Sequence, residues 1–89
     1  MTREERLVTM ISRVLWERKL WGLPKEVEDE MIELAKRLRV PPKREAVRNF
    51  IAAYCVVREL MLPQTADRVI ASSTRGRMYW EKRIREVIR

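Results

Sequence analysis

Apolar residues recur every three or four positions along most of the chain, which is the spacing of an amphipathic α-helix. Four breaks interrupt this pattern, at Gly22-Leu23-Pro24, Pro41-Pro42, Leu62-Pro63-Gln64 and Ser72-Ser73-Thr74. The five helices predicted between them cover residues 3–21, 25–39, 43–61, 66–72 and 75–89. The sequence therefore predicts an all-α fold, a compact five-helix bundle with short connections.

The third predicted helix differs from the others because residues 50–57 are apolar on every side. A helix without a polar face has to be surrounded by other helices, so we expect it to be the central element. The other four would pack against it through apolar stripes. These stripes are Leu7, Met10, Ile11, Val14 and Leu15 on the first helix; Val27, Met31, Leu34, Ala35 and Leu38 on the second; Val69 and Ile70 on the fourth; and Met78, Trp80, Ile84, Val87 and Ile88 on the fifth. Trp16, Trp21 and Trp80 are interpreted as core residues rather than stacking platforms, and Trp21, if exposed, would indicate a protein interface.

Length and composition limit the class of protein. At 89 residues, with 46% hydrophobic and 37% charged residues, the chain 1–89 is predicted to be a single globular helical domain. Its longest unbroken apolar run, residues 50–57, is far shorter than the ~20 residues that a membrane span needs. No secretory signal is visible at the N-terminus, so a cytoplasmic location without a membrane partner is expected.

The sequence offers few side chains for catalysis. It has no histidine, which removes both the commonest general base near neutral pH and the usual transition-metal ligand. Its one cysteine, Cys55, lies in the most apolar segment, where a cysteine usually behaves as a small hydrophobic residue. We therefore predict that the protein is not an enzyme and carries no metal or other cofactor.

The chain carries twenty Lys and Arg against thirteen Asp and Glu, a net charge of +7. Only one Asn and one Gln are present, and so few amides with so many ion-pairing residues are typical of a thermophile. The charge thus has two interpretations, a surface for an anionic partner or a salt-bridged thermophilic surface. On the second helix, four acidic residues within 26–30 precede three basic residues within 36–39, which helix-end electrostatics explains without a metal or a partner.

An ordered set of short motifs runs through residues 7–89. Its members are Ile11-Ser12-Arg13; Gly22-Leu23-Pro24 with Glu26-Val27; Arg44-Glu45-Ala46-Val47; Ala52-Ala53-Tyr54-Cys55 with Arg58-Glu59; Leu62-Pro63, Thr65 and Asp67; and Ser73 with Arg83-Ile84-Arg85. In this set and in its helix order the chain resembles one cyclin-like repeat of the archaeal transcription factor B and eukaryotic TFIIB family. It departs from the family at Ile70 and Thr74, where Ala and Gly are usual, and it has one repeat and no zinc-ribbon motif. The resemblance implies a transcription-related role without the part that engages polymerase.

The C-terminal segment, residues 65–89, fits a DNA-binding helix-turn-helix, with a short helix capped by Thr65, a short turn and a basic helix. In the family that the chain resembles, the last two helices of a repeat form such a motif. The segment carries seven cations and three anions. Residues near the start of a reading helix meet base edges, and those farther along meet phosphates. The predicted base contacts are Arg75, Arg77 and Tyr79, and the predicted phosphate contacts are Lys82, Arg83 and Arg85.

A second basic cluster brackets the Pro-Pro turn. Its members are Lys36, Arg37, Arg39, Lys43, Arg44 and Arg48. We expect Lys43, Arg44 and Arg48 to extend the nucleic-acid surface, and the alternative is a solvated face with helix-end charges. Duplex DNA is the expected partner. The alternatives are an adaptor that binds an acidic transcription-factor or polymerase partner, and a protein that binds structured RNA; a homodimer would restore a two-repeat arrangement.

Overall fold

The computed structural model describes residues 1–88, and five α-helices make up most of them. They are α1 (Arg3–Glu17), α2 (Lys25–Arg37), α3 (Arg44–Val57), α4 (Pro63–Val69) and α5 (Thr74–Val87). The prediction of an all-α fold with five helices is confirmed. The predicted last residue of the fifth helix, Arg89, lies outside the described residues.

Helix α3 is the centre of the fold, as its all-round apolar sequence predicts. It packs against each of the other four helices, and residues 49–55 are buried. Helix α2 is joined to it by polar contacts as well as apolar ones. The Tyr54 hydroxyl donates to Glu30 at 2.6 Å, and the Arg58 guanidinium donates to the same carboxylate at 2.7 Å. These two donors, Arg58 first, lower the pKa of Glu30.

The first three helices end earlier than predicted, and all three end in the same way. Each is followed by one residue in the left-handed conformation, with φ of 60° at Lys19, 55° at Arg39 and 58° at Glu59. The next residue then donates its backbone N–H to a carbonyl of the last turn, as in a Schellman motif. The bonds are Leu20 to Leu15 (2.9 Å), Val40 to Ala35 (3.0 Å) and Leu60 to Cys55 (2.8 Å). Because glycine usually marks this motif, the charged residues here gave no stop signal.

Helix α4 begins three residues earlier than predicted, and the capping role assigned to Thr65 is wrong. Leu62 is the N-cap and Pro63 is the first helical residue, so Thr65 lies inside the helix. Proline is favoured at the first helical position because its φ angle is already helical and it has no N–H to leave unpaired. The segment Leu62-Pro63-Gln64, which was interpreted as a break, therefore contains the start of α4.

The predicted apolar stripes form the core, with three corrections. Trp80 is buried and meets Phe50 edge-on at 5.9 Å between ring centroids. Met78, however, is 57% exposed, and the core assignment is also wrong for Trp16 and Trp21, which are 69% and 60% exposed. Trp16 lies on the face of α1 opposite its buried stripe, and Trp21 lies beyond the end of that helix.

Candidate nucleic-acid interface

The start of α5 is fixed against α3 by a buried amide. Asn49 Oδ1 accepts the backbone N–H groups of Ser72 and Ser73, each at 3.2 Å. Ser73 is then the N-cap of α5, and its Oγ accepts the Gly76 N–H at 3.0 Å. The break predicted at residues 72–74 therefore contains the cap and the first residue of α5. The connection between α4 and α5 thus has a defined geometry set by α3.

Arg77 does not lie on the surface, which contradicts its assignment to base contacts. The residue is 5% exposed, and its guanidinium donates to Asp67 on α4, with Nε to Oδ1 at 2.5 Å. It also pairs with Glu81 one turn farther along α5. The Arg77 hydrogen bonds, with a smaller contribution from the Thr74 hydroxyl, lower the pKa of Asp67. Arg77 therefore joins α4 to α5, and its charge is neutralised internally.

The outward face of α5 carries the other predicted contacts. Arg75, Lys82 and Tyr79 are exposed, and neither Arg75 nor Lys82 forms an ion pair with any residue of 1–88. Arg83 donates to the Tyr79 hydroxyl at 2.9 Å and lies 5.7 Å from the centroid of the Trp80 ring. Arg85 is different, because its guanidinium is 3.0 Å from Glu81 and its charge is partly offset.

Lys43 lies beside this face. A shallow groove separates the Pro-Pro turn and the start of α3 from α5, and it is lined by Pro41, Lys43, Glu45, Ala46, Asn49 and Trp80. Because Trp80 also lies under the Arg83 guanidinium, the groove and the cationic face of α5 are continuous. We call this surface the α5 face; its cations are Lys43, Arg75, Lys82 and Arg83, and it also carries the carboxylates of Glu45, in the groove, and Glu86, one turn after Lys82.

Arg44 and Arg48 lie on the other side of α3, towards α1 and the end of α4. Arg44 pairs with Glu17 at the end of α1. Arg48 Nε donates to the Ile70 carbonyl at 2.8 Å. The structure therefore divides the second predicted cluster. Lys43 lies next to α5, whereas Arg44 and Arg48 lie on the side of α3 that faces α1 and the end of α4.

Charge is distributed unevenly along the fold. Residues 1–38, which include α1 and α2, carry eight cations and eight anions, whereas residues 39–88 carry eleven cations and five anions. The excess positive charge of the described residues thus belongs to the part of the chain that holds α3, α4 and α5. A concentrated positive field of this kind attracts anionic polymers and accelerates their association.

An aromatic pair stands apart from the α5 face. Trp16 and Trp21 have ring centroids 5.3 Å apart with 46° between the ring planes, and Trp21 Nε1 donates to the Trp16 carbonyl at 3.2 Å. The two rings are therefore held together while mostly exposed. Large exposed aromatic side chains of this kind are typical of protein interfaces.

The described side chains form no arrangement suited to metal binding. Within residues 1–88, no group of three or more His, Cys, Asp or Glu residues is placed to hold a metal ion. Cys55 is buried, and burial raises the pKa of its thiol to about 11, which disfavours the reactive thiolate. None of the helices formed by these residues is long and apolar enough to cross a membrane.

Two positioning groups were missed by the sequence analysis. The role of Asn49 had a signal, because an amide directly before the apolar run of residues 50–57 needs hydrogen-bond partners if it is buried. The inward role of Arg77 also had one, because Glu81 follows it by four residues, the spacing of an ion pair on one helix face. The partnership of Arg77 with Asp67 joins two helices and had no local signal.

Comparisons with family models, with curated proteins and with solved structures find no match to this chain. The likeness to a cyclin-like repeat therefore rests on the sequence motifs alone and stays a prediction.

Proposed function

We propose that this protein binds duplex DNA through the α5 face. The observation that supports the proposal is that Lys43 and Arg83 adjoin through Trp80, that Arg75 and Lys82 are exposed on the same helix as Arg83, and that none of the four forms an ion pair within residues 1–88. Salt bridges of a thermophilic surface would use such charges internally, as Arg77 is used. Free cations on a helix face and along an adjacent groove instead suit the phosphates of a nucleic acid.

Helix α5 would act as the reading helix. An exposed helix fits the major groove, and residues near its start reach base edges. Arg75 and Tyr79 are the candidates for these contacts, since Arg77 is buried. Lys82, Arg83 and Lys43 would contact phosphates, and Arg85 would contribute less because it pairs with Glu81. The resemblance to a transcription-factor repeat suggests that such binding serves transcription.

A charge-matched pair of double variants tests the proposal. Arg75→Gln/Lys82→Gln removes two cations from the α5 face, and Arg6→Gln/Arg37→Gln removes two exposed cations from α1 and α2. In fluorescence anisotropy with a labelled duplex, we expect the first variant to bind at least about tenfold more weakly and to lose about 1.8 from the salt slope. The second should bind like the unmodified protein. Equal losses would show that only net charge matters, and competition by structured RNA would distinguish the two polymers.

The exposed tryptophan pair supports a second candidate function, a protein-interaction adaptor. Tryptophan is enriched among residues that dominate binding energy at interfaces, and Trp16 and Trp21 are held ready by their hydrogen bond. A pull-down from nuclease-treated lysate tests this candidate. Recovery of one partner by the unmodified protein, and its loss with Trp16→Ser/Trp21→Ser, would support the adaptor; loss of all partners on nuclease treatment would oppose it.

A further inference from the structure

Three arginines lie near one another where the end of α1 meets the start of α3, because Arg44 pairs with Glu17, the neighbour of Arg18, and the charges of Arg18 and Arg44 both act on Arg48. Arg18 is the C-cap of α1, and Arg44 and Arg48 are one turn apart on the same face of α3. Arg48 is held in place by its hydrogen bond to the Ile70 carbonyl, at the end of α4. The cluster therefore adjoins the connection that leads into α5, while it lies outside the α5 face itself.

The charges of this cluster are incompletely balanced. Burial first, and then repulsion by Arg18 and Arg44, lower the pKa of Arg48, while Glu17 and Glu45 act in the opposite direction. Three cations thus face two carboxylates, of which Glu17 is already paired with Arg44. Like charges held this close raise the free energy of the folded protein unless an anion offsets them.

The cluster also has hydrogen-bond donors to spare. The Nε of Arg18 is buried and has no hydrogen-bond partner among residues 1–88. Arg48 uses Nε for the Ile70 carbonyl, which leaves its terminal nitrogens for another acceptor. No side chain of residues 1–88 caps the start of α3, so the positive end of that helix dipole, partly offset by Glu45 in the first turn, adds to the same region. A tetrahedral oxyanion offers several acceptor oxygens to such a set of donors.

We propose that Arg18, Arg44 and Arg48 form a binding site for a phosphate group. That the phosphate belongs to a nucleic-acid backbone rests on the function proposed above, because the site adjoins the connection between α4 and α5. A free phosphate is the other source of the same chemistry. The bound oxyanion would accept from Arg18 and Arg48 and balance the third positive charge.

The test compares Arg18→Gln with Arg6→Gln, which removes one exposed cation from α1 outside the cluster. Thermal unfolding is measured in inorganic phosphate and in sodium chloride of equal ionic strength, and duplex binding is measured by anisotropy. We expect Arg18→Gln to weaken phosphate or duplex binding at least about fivefold, as loss of one charge-assisted bond would. In phosphate-free buffer this variant should unfold at the same or a higher temperature, because one like charge is gone.

Each outcome separates the two proposals. Weaker duplex binding without any effect of inorganic phosphate assigns the site to the nucleic-acid backbone. Specific stabilisation by inorganic phosphate in a protein that does not bind DNA would assign it to a free phosphate and overturn the proposed function. If Arg18→Gln matches Arg6→Gln in both measurements, the phosphate site is overturned, and the α5 face is unaffected by that result.

Discussion

Helices α2 and α5 both pack against α3 and both end in a turn with basic residues, yet their first turns carry net charges of opposite sign. The second residue of α2 is Glu26 and its last turn holds Lys36 and Arg37, so both ends suit the helix dipole. The second residue of α5 is Arg75, and its first turn holds no acidic residue. The charges of α2 are thus explained by helix stability, whereas Arg75 is placed where it costs stability. Residues that break a local rule without a compensating contact are candidates for function.

The largest expected difference in stability is between variants of the inward arginine of α5, Arg77, and the outward one, Arg75. Arg77→Met keeps much of the apolar stem but leaves Asp67 and Glu81 without their shared cation, and we expect a loss of about 3 kcal/mol in the free energy of unfolding. Arg75→Met should change it by less than about 0.5 kcal/mol. Urea unfolding followed by circular dichroism measures both. Equal midpoints for the two variants would contradict the assignment of Arg77 to the interior.

The two glycines should differ in how well they tolerate a side chain, because Gly76 lies in the first turn of α5 and Gly22 lies in the segment before α2. A Cβ at Gly76 would overlap Asn49 Nδ2 and lie 2.9 Å from Ser73 Oγ, whereas a Cβ at Gly22 would have no atom of residues 1–88 within 4 Å. We expect Gly76→Ala to destabilise the protein by about 1–2 kcal/mol, because displacement of the buried Asn49 outweighs the better helix propensity of alanine. Gly22→Ala should be neutral within about 0.5 kcal/mol. A stabilised Gly76→Ala variant would show that Asn49 does not fix the start of α5.

Measurements across pH should separate Asp67, the carboxylate that pairs with α5, from Asp29 on α2 by their contributions to the free energy of unfolding. The pKa of Asp67 is lowered in the folded state, so its stabilisation is present above the unfolded pKa near 3.8 and is lost as the pH falls towards the lower folded value. Asp67→Asn should cost about 1 kcal/mol at pH 7 and progressively less below pH ~4. Asp29→Asn on α2, whose exposed carboxylate pairs with Lys25, is the control and should cost less than about 0.5 kcal/mol. A pH-independent cost for Asp67→Asn would contradict the role of its ion pair with Arg77.

The smallest effect tests the dipole comparison directly. Arg75→Glu should stabilise α5 by about 0.5 kcal/mol, and Glu26→Arg should destabilise α2 by a similar amount, because both residues occupy the second helical position. Thermal unfolding at low ionic strength measures both changes. Stability changes of opposite sign in the two variants would confirm that the charge of Arg75 lowers the stability of α5. A destabilised Arg75→Glu variant would instead indicate that Arg75 makes a structural contact.

The elements of this fold could be predicted from sequence more readily than their ends. The apolar run of residues 50–57 placed α3 at the centre because only a surrounded helix can have no polar face. Periodicity could not show that α1 stops before Lys19, since the left-handed conformation there depends on hydrogen bonds back into the last turn. Trp16 was assigned to the core as a residue at helical spacing on an apolar face, although its position opposite the stripe of Leu7, Ile11 and Val14 favours exposure.

The candidate site was predicted only in outline. Cations near the start of α5 were evident from the sequence, but Asp67 pairs with Arg77, whereas no carboxylate of residues 1–88 pairs with Arg75. The approach of Lys43 to Trp80 depends on tertiary packing across the Pro-Pro turn. Sequence spacing identifies which residues share a helix face. Residues of other helices then determine which of these charges are paired, and this cannot be seen from the spacing.

The central claim is that the α5 face binds nucleic-acid phosphates, and the salt dependence of duplex binding tests it most directly. Anisotropy of a labelled random-sequence duplex is measured with the unmodified protein at ~50 and ~200 mM salt. If Lys43, Arg75, Lys82 and Arg83 each neutralise one phosphate, the slope of log affinity against log salt is about −3.6, and affinity falls by roughly a hundredfold across this interval. No binding at the lower salt, or binding that salt does not weaken, would contradict the claim.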